Sequence, residues 1–434
     1  MTRRSFYFIT LSLILTLVSV SALFAEPLSL EGCITHALTH NPSIISAQEK
    51  LHAARAKKKE AFAGYLPNIG ATVTYMKRNE SSSSALVAAM PATFRYAVAD
   101  ELYDTKLTLT QPLFMWGKVY QSNRIAQANF SAANYDYMKA KNDLIYEVKK
   151  AYYATLLARQ MVTIATEASS IADRQLSVVE GFYKEGRSST YDVARAKVSL
   201  ANANTGLIKA RNGYELARQR LINTISSPEN DIELSGDMAY VPQQYRLDEL
   251  INAAMKNRPE IHAMEMQEQI MKRTVSVTAA GNKPTLVLTG YKEWQNTEFS
   301  MTDAYDTWSV MGVLSIPLFD GCATYQRTKQ ARSSLAQTKQ GAIALIDGIQ
   351  LEVRSAYLSF KQSQESLEAN KENVALAKDN VAIAQERFRL GLMSDIELRD
   401  AQFALTQADT NYAQALHDYM VALAAIEKST SIIK

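Results

Sequence analysis

Proline is absent from two long stretches, the 115 residues between Pro112 and Pro228 and the 117 residues that follow Pro317. Proline removes a backbone donor and clashes with the preceding helical turn, so stretches free of it are where long helices are permitted. A glycine stands near the centre of each, Gly186 and Gly391, and each stretch therefore reads as helix, turn, helix. The first arms are expected over about 118–184 and 323–389, and at about 1.5 Å per residue each is roughly 100 Å long. Composition agrees: 16 Gly and 10 Pro in 434 residues are too few chain-breakers for many short elements.

The two stretches belong to an internal duplication. An offset of 217 carries Leu30 to Leu247, Ala37 to Ala254, Pro42 to Pro259, Gly64 to Gly281 and Pro67 to Pro284. After residue 110 the offset is 205, carrying Pro112-Leu113-Phe114 to Pro317-Leu318-Phe319, Ala151-Tyr152 to Ala356-Tyr357 and Gly186 to Gly391. The 12 residues lost lie between Met76 and Thr110, around Ser81 to Ser84, so the copies differ mainly in one polar loop. The organisation expected is a signal segment over 1–25, a first repeat over 26–228, a linker over 229–246 and a second repeat over 247–434. The two repeats are expected to interweave as one domain.

Phe130, Tyr137, Leu144, Ala151, Ala158, Ala165, Ala172 and Val179 recur every seven residues, a coiled-coil seam whose alanines imply close helix packing. The second copy begins alike with Leu335, Ala342, Ile349 and Ala356, then shows Ser363 and Asn370, so its seam is expected to be less dry.

The segments between the prolines alternate with period two. Ile69, Ala71, Val73 and Tyr75 alternate with polar or small residues, as do Leu107 and Leu109, Leu286 and Leu288, and Trp308, Val310, Leu314 and Ile316. These are four strands with one apolar face and about ten residues each, the length that crosses an outer membrane. Trp116, Trp294 and Trp308 fall near strand ends, where an interfacial girdle sits. Four strands cannot close a barrel, and open edges in lipid leave backbone groups unpaired at several kcal/mol each. A membrane reading therefore demands an oligomer, eight strands in a dimer or twelve in a trimer.

The N-terminal end supports export: Arg3 and Arg4 precede an apolar stretch from Phe6 to Val20, and small residues offer cleavage after Ala25. Leu30-Glu31-Gly32-Cys33 is not read as a lipidation box, because Glu31 is charged and the apolar stretch ended about ten residues earlier. Past residue 25 no run of 18 apolar residues exists, which excludes a polytopic helical membrane protein. A balance of 47 Lys and Arg against 44 Asp and Glu argues against nucleic acid as a partner.

In this order, twice over, the motifs resemble those of the TolC family of outer-membrane efflux and export channels, across essentially the whole mature chain. They are Tyr65-Leu66-Pro67 and Pro284 at strand entry, Gln111-Pro112-Leu113-Phe114 and Ile316-Pro317-Leu318-Phe319 at strand exit followed by Gly117 and Gly321, and two tips. The tips read Phe182-x-x-x-Gly186-x-x-Ser189-x-x-Asp192-Val193 and Phe388-x-x-Gly391-x-x-Ser394-x-x-Glu397-Leu398. The resemblance implies a mainly α chain with a membrane β-barrel part: long coiled-coil hairpins and four strands per chain, closing in a homotrimer as a 12-stranded barrel and a 12-helix periplasmic tunnel. It implies a passive exit duct of a tripartite efflux or type I export system, in the outer membrane and extending into the periplasm. The partners implied are a periplasmic adaptor, an inner-membrane transporter and outer-membrane lipid. The competing reading is a periplasmic coiled-coil tether with no pore.

The resemblance also implies site residues. Gly186, Arg187, Ser188 and Ser189, with Gly391, Leu392, Met393 and Ser394, correspond to adaptor-contacting tips, although glycine at a helix reversal needs no partner. Glu397 and Asp400 match carboxylates that ring the closed entrance, with Asp192 the counterpart of Glu397 in the first copy. Ser189 to Asp192 and Ser394 to Glu397 also read as capping boxes. Asp400 has no such local explanation, and its repeat partner is Arg195. Where some family members lock the entrance with an aromatic hydroxyl and an arginine, this chain has Phe388 and Met393, so a differently closed gate is expected.

Cys33, His36 and His40 share one helix face, but lack a clear fourth ligand and match Leu250, Ala253 and Asn257 in the second copy, so a packed face is expected rather than a metal site. Cys33 and Cys322 are expected to be unpaired small core residues. Lys57-Lys58-Lys59 reads as a solvated helix turn. With no HExxH, GxSxG or phosphate-cradling glycine loop, neither an enzyme nor a cofactor is expected.

Overall fold

The structure is a computed structural model, and it describes residues 28–77, 101–228, 232–297 and 304–432. The export segment, the Ser81 to Ser84 loop and residues 229–231 of the linker lie outside the described residues.

Six elements occur in order and then recur. The first set is α1 (Leu30–His40), α2 (Pro42–Ala63), β1 (Asn68–Lys77), β2 (Glu101–Phe114), α3 (Lys118–Lys184) and α4 (Thr190–Ile225). The second is α5 (Leu247–Asn257), α6 (Pro259–Ala279), β3 (Thr285–Asn296), β4 (Tyr305–Ser315), α7 (Ala323–Arg389) and α8 (Asp395–Thr430), with a short 3-10 turn over Ala280–Asn282. α3 and α7 both have 67 residues and α4 and α8 both have 36, so the offset of 205 holds at every boundary of the hairpins.

The described residues form two compact units, each drawing on both repeats: those within 1–45, 140–257 and 349–434 in one, and those within 46–139 and 258–348 in the other. The second unit holds a four-stranded antiparallel meander in the order β1-β2-β3-β4. Its register settles which side chains share a face. Ile69 pairs with Leu109, Leu109 with Gly290 and Gly290 with Val310; one step along, Ala71, Leu107, Lys292 and Trp308 line up. The opposite face carries Asn68, Thr110, Thr289 and Met311 in one row and Thr72, Lys106, Glu293 and Thr307 in another. The first face is therefore mainly apolar and the other mainly polar, with Lys106 Nζ 3.3 Å from Glu293 Oε2 on the polar side. Among the described residues nothing covers the apolar face: Ile69 is 62 % exposed and Val310 63 %.

Turns at the sheet's helical end need left-handed backbone at two consecutive residues in each copy. Trp116 (φ 49°) and Gly117 (φ 73°) supply them in the first, Gly321 (φ 64°) and Cys322 (φ 65°) in the second. Each turn thus has one glycine and one strained residue, and the glycine falls at a different place in the two copies. Cys322 is exposed in this turn, which corrects the expectation of a core residue; a turn whose backbone is solvated has no interior to pack.

In the first unit Cys33 and Ala37 of α1 are fully buried, with Leu221 and Ile225 of α4. Burial pushes the Cys33 thiol up to about 12. His36 donates from Nδ1 to the Ile225 carbonyl at 3.0 Å, and His40 from Nδ1 to the His36 carbonyl at 3.1 Å, so this face is fastened by backbone bonds. Both cysteines are free thiols. The irregular chain after 232 is pinned onto the long helices: Tyr152 donates to Ser235 O, Arg159 to Leu234 O at 3.1 Å, and Tyr419 to Val241 O at 2.7 Å.

The helical seam differs from expectation. On α7 the most buried row is Val353, Phe360 and Leu367, again at a spacing of seven, with Ala356 and Ser363 three residues further round. Large residues fill one row and small residues the other. Ser363 does not wet the interface, because its hydroxyl donates to the Phe360 carbonyl at 2.8 Å and is buried there. On α3 only Leu144 and Val179 of the eight seam residues are buried, and the deepest line runs through Val148, Tyr152 and Leu156. Contact with α8 and with the chain after 232 turns that helix so that its alanine row lies half-exposed.

Candidate functional site

The two hairpin tips are built by the same local chemistry. At the first, Gly186 takes φ 76°, its N–H reaches Tyr183 O at 3.0 Å, and Arg187 N–H reaches Phe182 O at 2.8 Å. At the second, Gly391 takes φ 74°, its N–H reaches Phe388 O at 3.0 Å, and Leu392 N–H reaches Arg387 O at 2.9 Å. A left-handed residue closing the last helical carbonyls is a low-cost way to end a helix, and glycine adopts it without steric penalty.

Each tip then restarts a helix with a capping box. Ser189 N–H donates to Asp192 Oδ2 at 3.0 Å and Asp192 N–H to Ser189 Oγ at 3.2 Å. Ser394 N–H donates to Glu397 Oε2 at 2.9 Å and Glu397 N–H to Ser394 Oγ at 3.3 Å. The backbone bond from Ser189 holds the Asp192 carboxyl below the usual carboxylate range, and that from Ser394 does the same for Glu397. A carboxyl lowered in the folded state stabilises it above the unfolded-state value, and that contribution is lost as pH falls through the lowered one. Both tips are therefore expected to loosen below about pH 4, which hydrogen exchange of the amides of 187–193 and 392–398 would register as lower protection, relative to the intrinsic rate at each pH, at both tips together. Protection that stays flat from neutral pH to pH 3 would show that the boxes contribute nothing.

The tips differ in their surroundings. In the first, Arg187 stacks on Phe182 with its guanidinium carbon 4.7 Å from the ring centre. In the second, Phe388 and Met393 pack against a buried cluster of Val381, Ala384, Leu398 and Ala401. Leu392 stays exposed beside them.

Beyond the caps, Asp400 is exposed and makes no hydrogen bond or ion pair among the described residues. Arg399 beside it is committed to Asp395, Nη2 to Oδ2 at 3.0 Å, and Asp395 also accepts from Gln175 Nε2 of α3. The sequence does not signal this link between the hairpins, since Gln175 and Asp395 lie 220 residues apart. The tryptophans lie toward both ends of the sheet: Trp116 follows β2 at its helical end, while Trp294 and Trp308 stand near the loop end on the apolar face. Lys292 lies 5.1 Å over the Trp294 ring and 3.3 Å from Asp306. No three His, Cys, Asp or Glu side chains cluster to hold a metal among the described residues.

A sheet whose apolar face and outer edges no described residue covers, in a chain that repeats a pair of strands and a long helical hairpin, defines a subunit of a membrane channel. The chain belongs to the outer membrane efflux protein family, whose model matches residues 33–226 and 250–431. It is similar to the alkaline protease secretion protein AprF of Pseudomonas aeruginosa, at 23% identity over 401 residues, 90% of this chain and 82% of that protein. It is also similar to the outer membrane protein TolC of Vibrio cholerae, at 20% identity over 417 residues, 94% and 91% of the two. Among solved structures, the CmeC outer membrane channel of Campylobacter jejuni superposes with a TM-score of 0.79 at 18% identity, covering 92% of this chain and 85% of that one.

Proposed function

We propose that three copies of this chain close a twelve-stranded outer-membrane pore continued by a twelve-helix periplasmic tunnel, and that the assembly is the exit duct for an inner-membrane transporter joined through a periplasmic adaptor. The observation that carries this is the register of β1 to β4. It lines up an uncovered apolar face against a polar face, and it leaves the outer edges of β1 and β4 to be paired by other copies. Apolar residues left exposed at a spacing of seven on the helices, Leu376 and Ile383 on α7 and Tyr191 with Val198 on α4, support further helix contacts between copies. A periplasmic tether gives no reason for these faces.

In this reading the adaptor meets the two tips, Glu185 to Ser189 and Leu390 to Ser394, and Trp116, Trp294 and Trp308 sit at the lipid interfaces. Asp192, Glu397 and Asp400 line the entrance as carboxylates, the first two also serving as caps. The second tip is held shut by apolar packing of Phe388 and Met393. Single-channel recording of the detergent-purified mature protein in a planar bilayer tests the duct: discrete steps are expected, whereas a protein soluble without detergent and silent in the bilayer would favour the tether. The double substitution F388Y/M393R places a hydroxyl and a cation in the apolar cluster and is expected to change the step size severalfold. An unchanged step size would show that this cluster does not set the opening.

A further inference from the structure

We infer that the seam between neighbouring copies repeats, residue for residue, the junction of β2 with β3 inside the chain. β4 of one copy then pairs antiparallel with β1 of the next, Leu314 opposite Val73, and residues 316–319 become strand only in the assembled ring. This rests on the exit-duct reading and names the surface by which its ring closes.

The duplication makes the strands equivalent in pairs. Offsets of 217 and 205 carry β1 to β3 and β2 to β4. Applied to the pairing of β1 with β2, they reproduce that of β3 with β4: Asn68 with Thr110 becomes Thr285 with Ser315, and Ile69 with Leu109 becomes Leu286 with Leu314. Register is thus a property of the repeat. The junction of β2 with β3 has one equivalent left, β4 with the β1 of another copy. Carried across, Leu109 with Gly290 becomes Leu314 with Val73, Gln111 with Leu288 becomes Ile316 with Ala71, and Phe114 with Leu286 becomes Phe319 with Ile69.

The lengths of the strands show that a partner is missing. β2 runs to Phe114, whereas β4 stops at Ser315, four residues short of the equivalent Phe319. Residues 111–114 of β2 lie beyond the start of β1 and are held by β3 alone, with Leu113 the extra residue of an irregular step. Ile316 to Phe319 have no such neighbour among the described residues, and Phe319 is 84 % exposed against 52 % for Phe114. The strand that occupies this place beside β4 is β1 of the next copy. Leu314 and Val73 both stand on the apolar face. A slip of one residue would set lipid-facing side chains of one copy against lumen-facing ones of the next. A slip of two would displace each copy by about 7 Å along the strands and spoil the even stagger by which a barrel closes.

Oxidation of paired cysteines in outer-membrane fractions tests the register, in the full chain carrying C322S so that the exposed native thiol is silent. V73C/L314C and T74C/V313C are expected to run mainly as covalent trimers without reductant and as single chains with it, because residues directly opposite come within disulfide reach. Two pairs are used so that misfolding of one leaves the other to decide. A71C/L314C and Y75C/L314C, two residues out of register, are expected to crosslink severalfold less, since diagonal neighbours lie about 7–8 Å apart. V73C/T105C, opposite within one chain, closes without added mass and shows that the oxidant reaches the strands. Trimers from an out-of-register pair in place of V73C/L314C and T74C/V313C overturn the register and leave the ring. No covalent trimer from any pair, with the control closed and wild-type steps in a bilayer, overturns the seam and leaves the exit duct. No trimer together with a wild type silent in the bilayer overturns both.

Discussion

Leu109→Arg is expected to abolish assembly into the outer membrane, while Thr110→Arg, one residue along the same strand, leaves assembly nearly intact. Leu109 stands between Ile69 and Gly290 on the apolar face; Thr110 stands between Asn68 and Thr289 on the polar face. A guanidinium held in lipid near the bilayer midplane costs about 2–4 kcal/mol, incurred by every copy in the ring, whereas one in a water-filled lumen keeps its hydration. Heat-modifiable, membrane-inserted oligomer in outer-membrane fractions is the quantity to measure. Equal loss in the two variants would mean that the sheet does not present one face to lipid.

Lys149→Met is expected to destabilise the helical unit by about 3–5 kcal/mol, and Lys149→Met with Glu427→Leu to recover most of that loss. Lys149 Nζ bonds Glu427 Oε2 between α3 and α8, with the two side chains only 9% and 18% exposed. Removing the lysine strands a carboxylate among packed aromatics, and the charge of Glu427 is already felt there: burial, and then Glu427, pushes the Tyr153 hydroxyl above its ordinary range. Removing both partners leaves nothing unpaired. The neighbouring pair, Lys428 to Asp143 at 3.0 Å, is left untouched in both variants and keeps α3 and α8 in register for the comparison. Urea unfolding of the detergent-solubilised protein at neutral pH separates the cases. A single variant no worse than the double would mean that the pair is hydrated and contributes little.

The tips show why some parts of such a chain are legible and others are not. Gly186, Gly391 and the two capping boxes were readable because their bonds close within three to five residues, and the spacing of the letters is the geometry. The same holds for the ends of α3, α4, α7 and α8, set by proline, glycine and serine. The role of Phe388 and Met393 was legible only as the absence of a polar lock; their packing on Leu398 and Ala401 needed the fold.

Legible along the chain were the duplication, the extent of the long arms α3 and α7, the four alternating strands and the chemistry of the turns. All of these depend on local backbone preference and on repeat distances along one chain. Which heptad row is buried depends on packing between helices. α7 offers a large row and a small row at the same period, and the surrounding helices, not the period, select Val353, Phe360 and Leu367 as the deepest. The tertiary structure also decided the exposure of Cys322 and the long-range bonds from Lys149 to Glu427 and from Gln175 to Asp395. Those partners are separated by 220 to 278 residues, a distance at which no pattern along the chain fixes contact and only packing does.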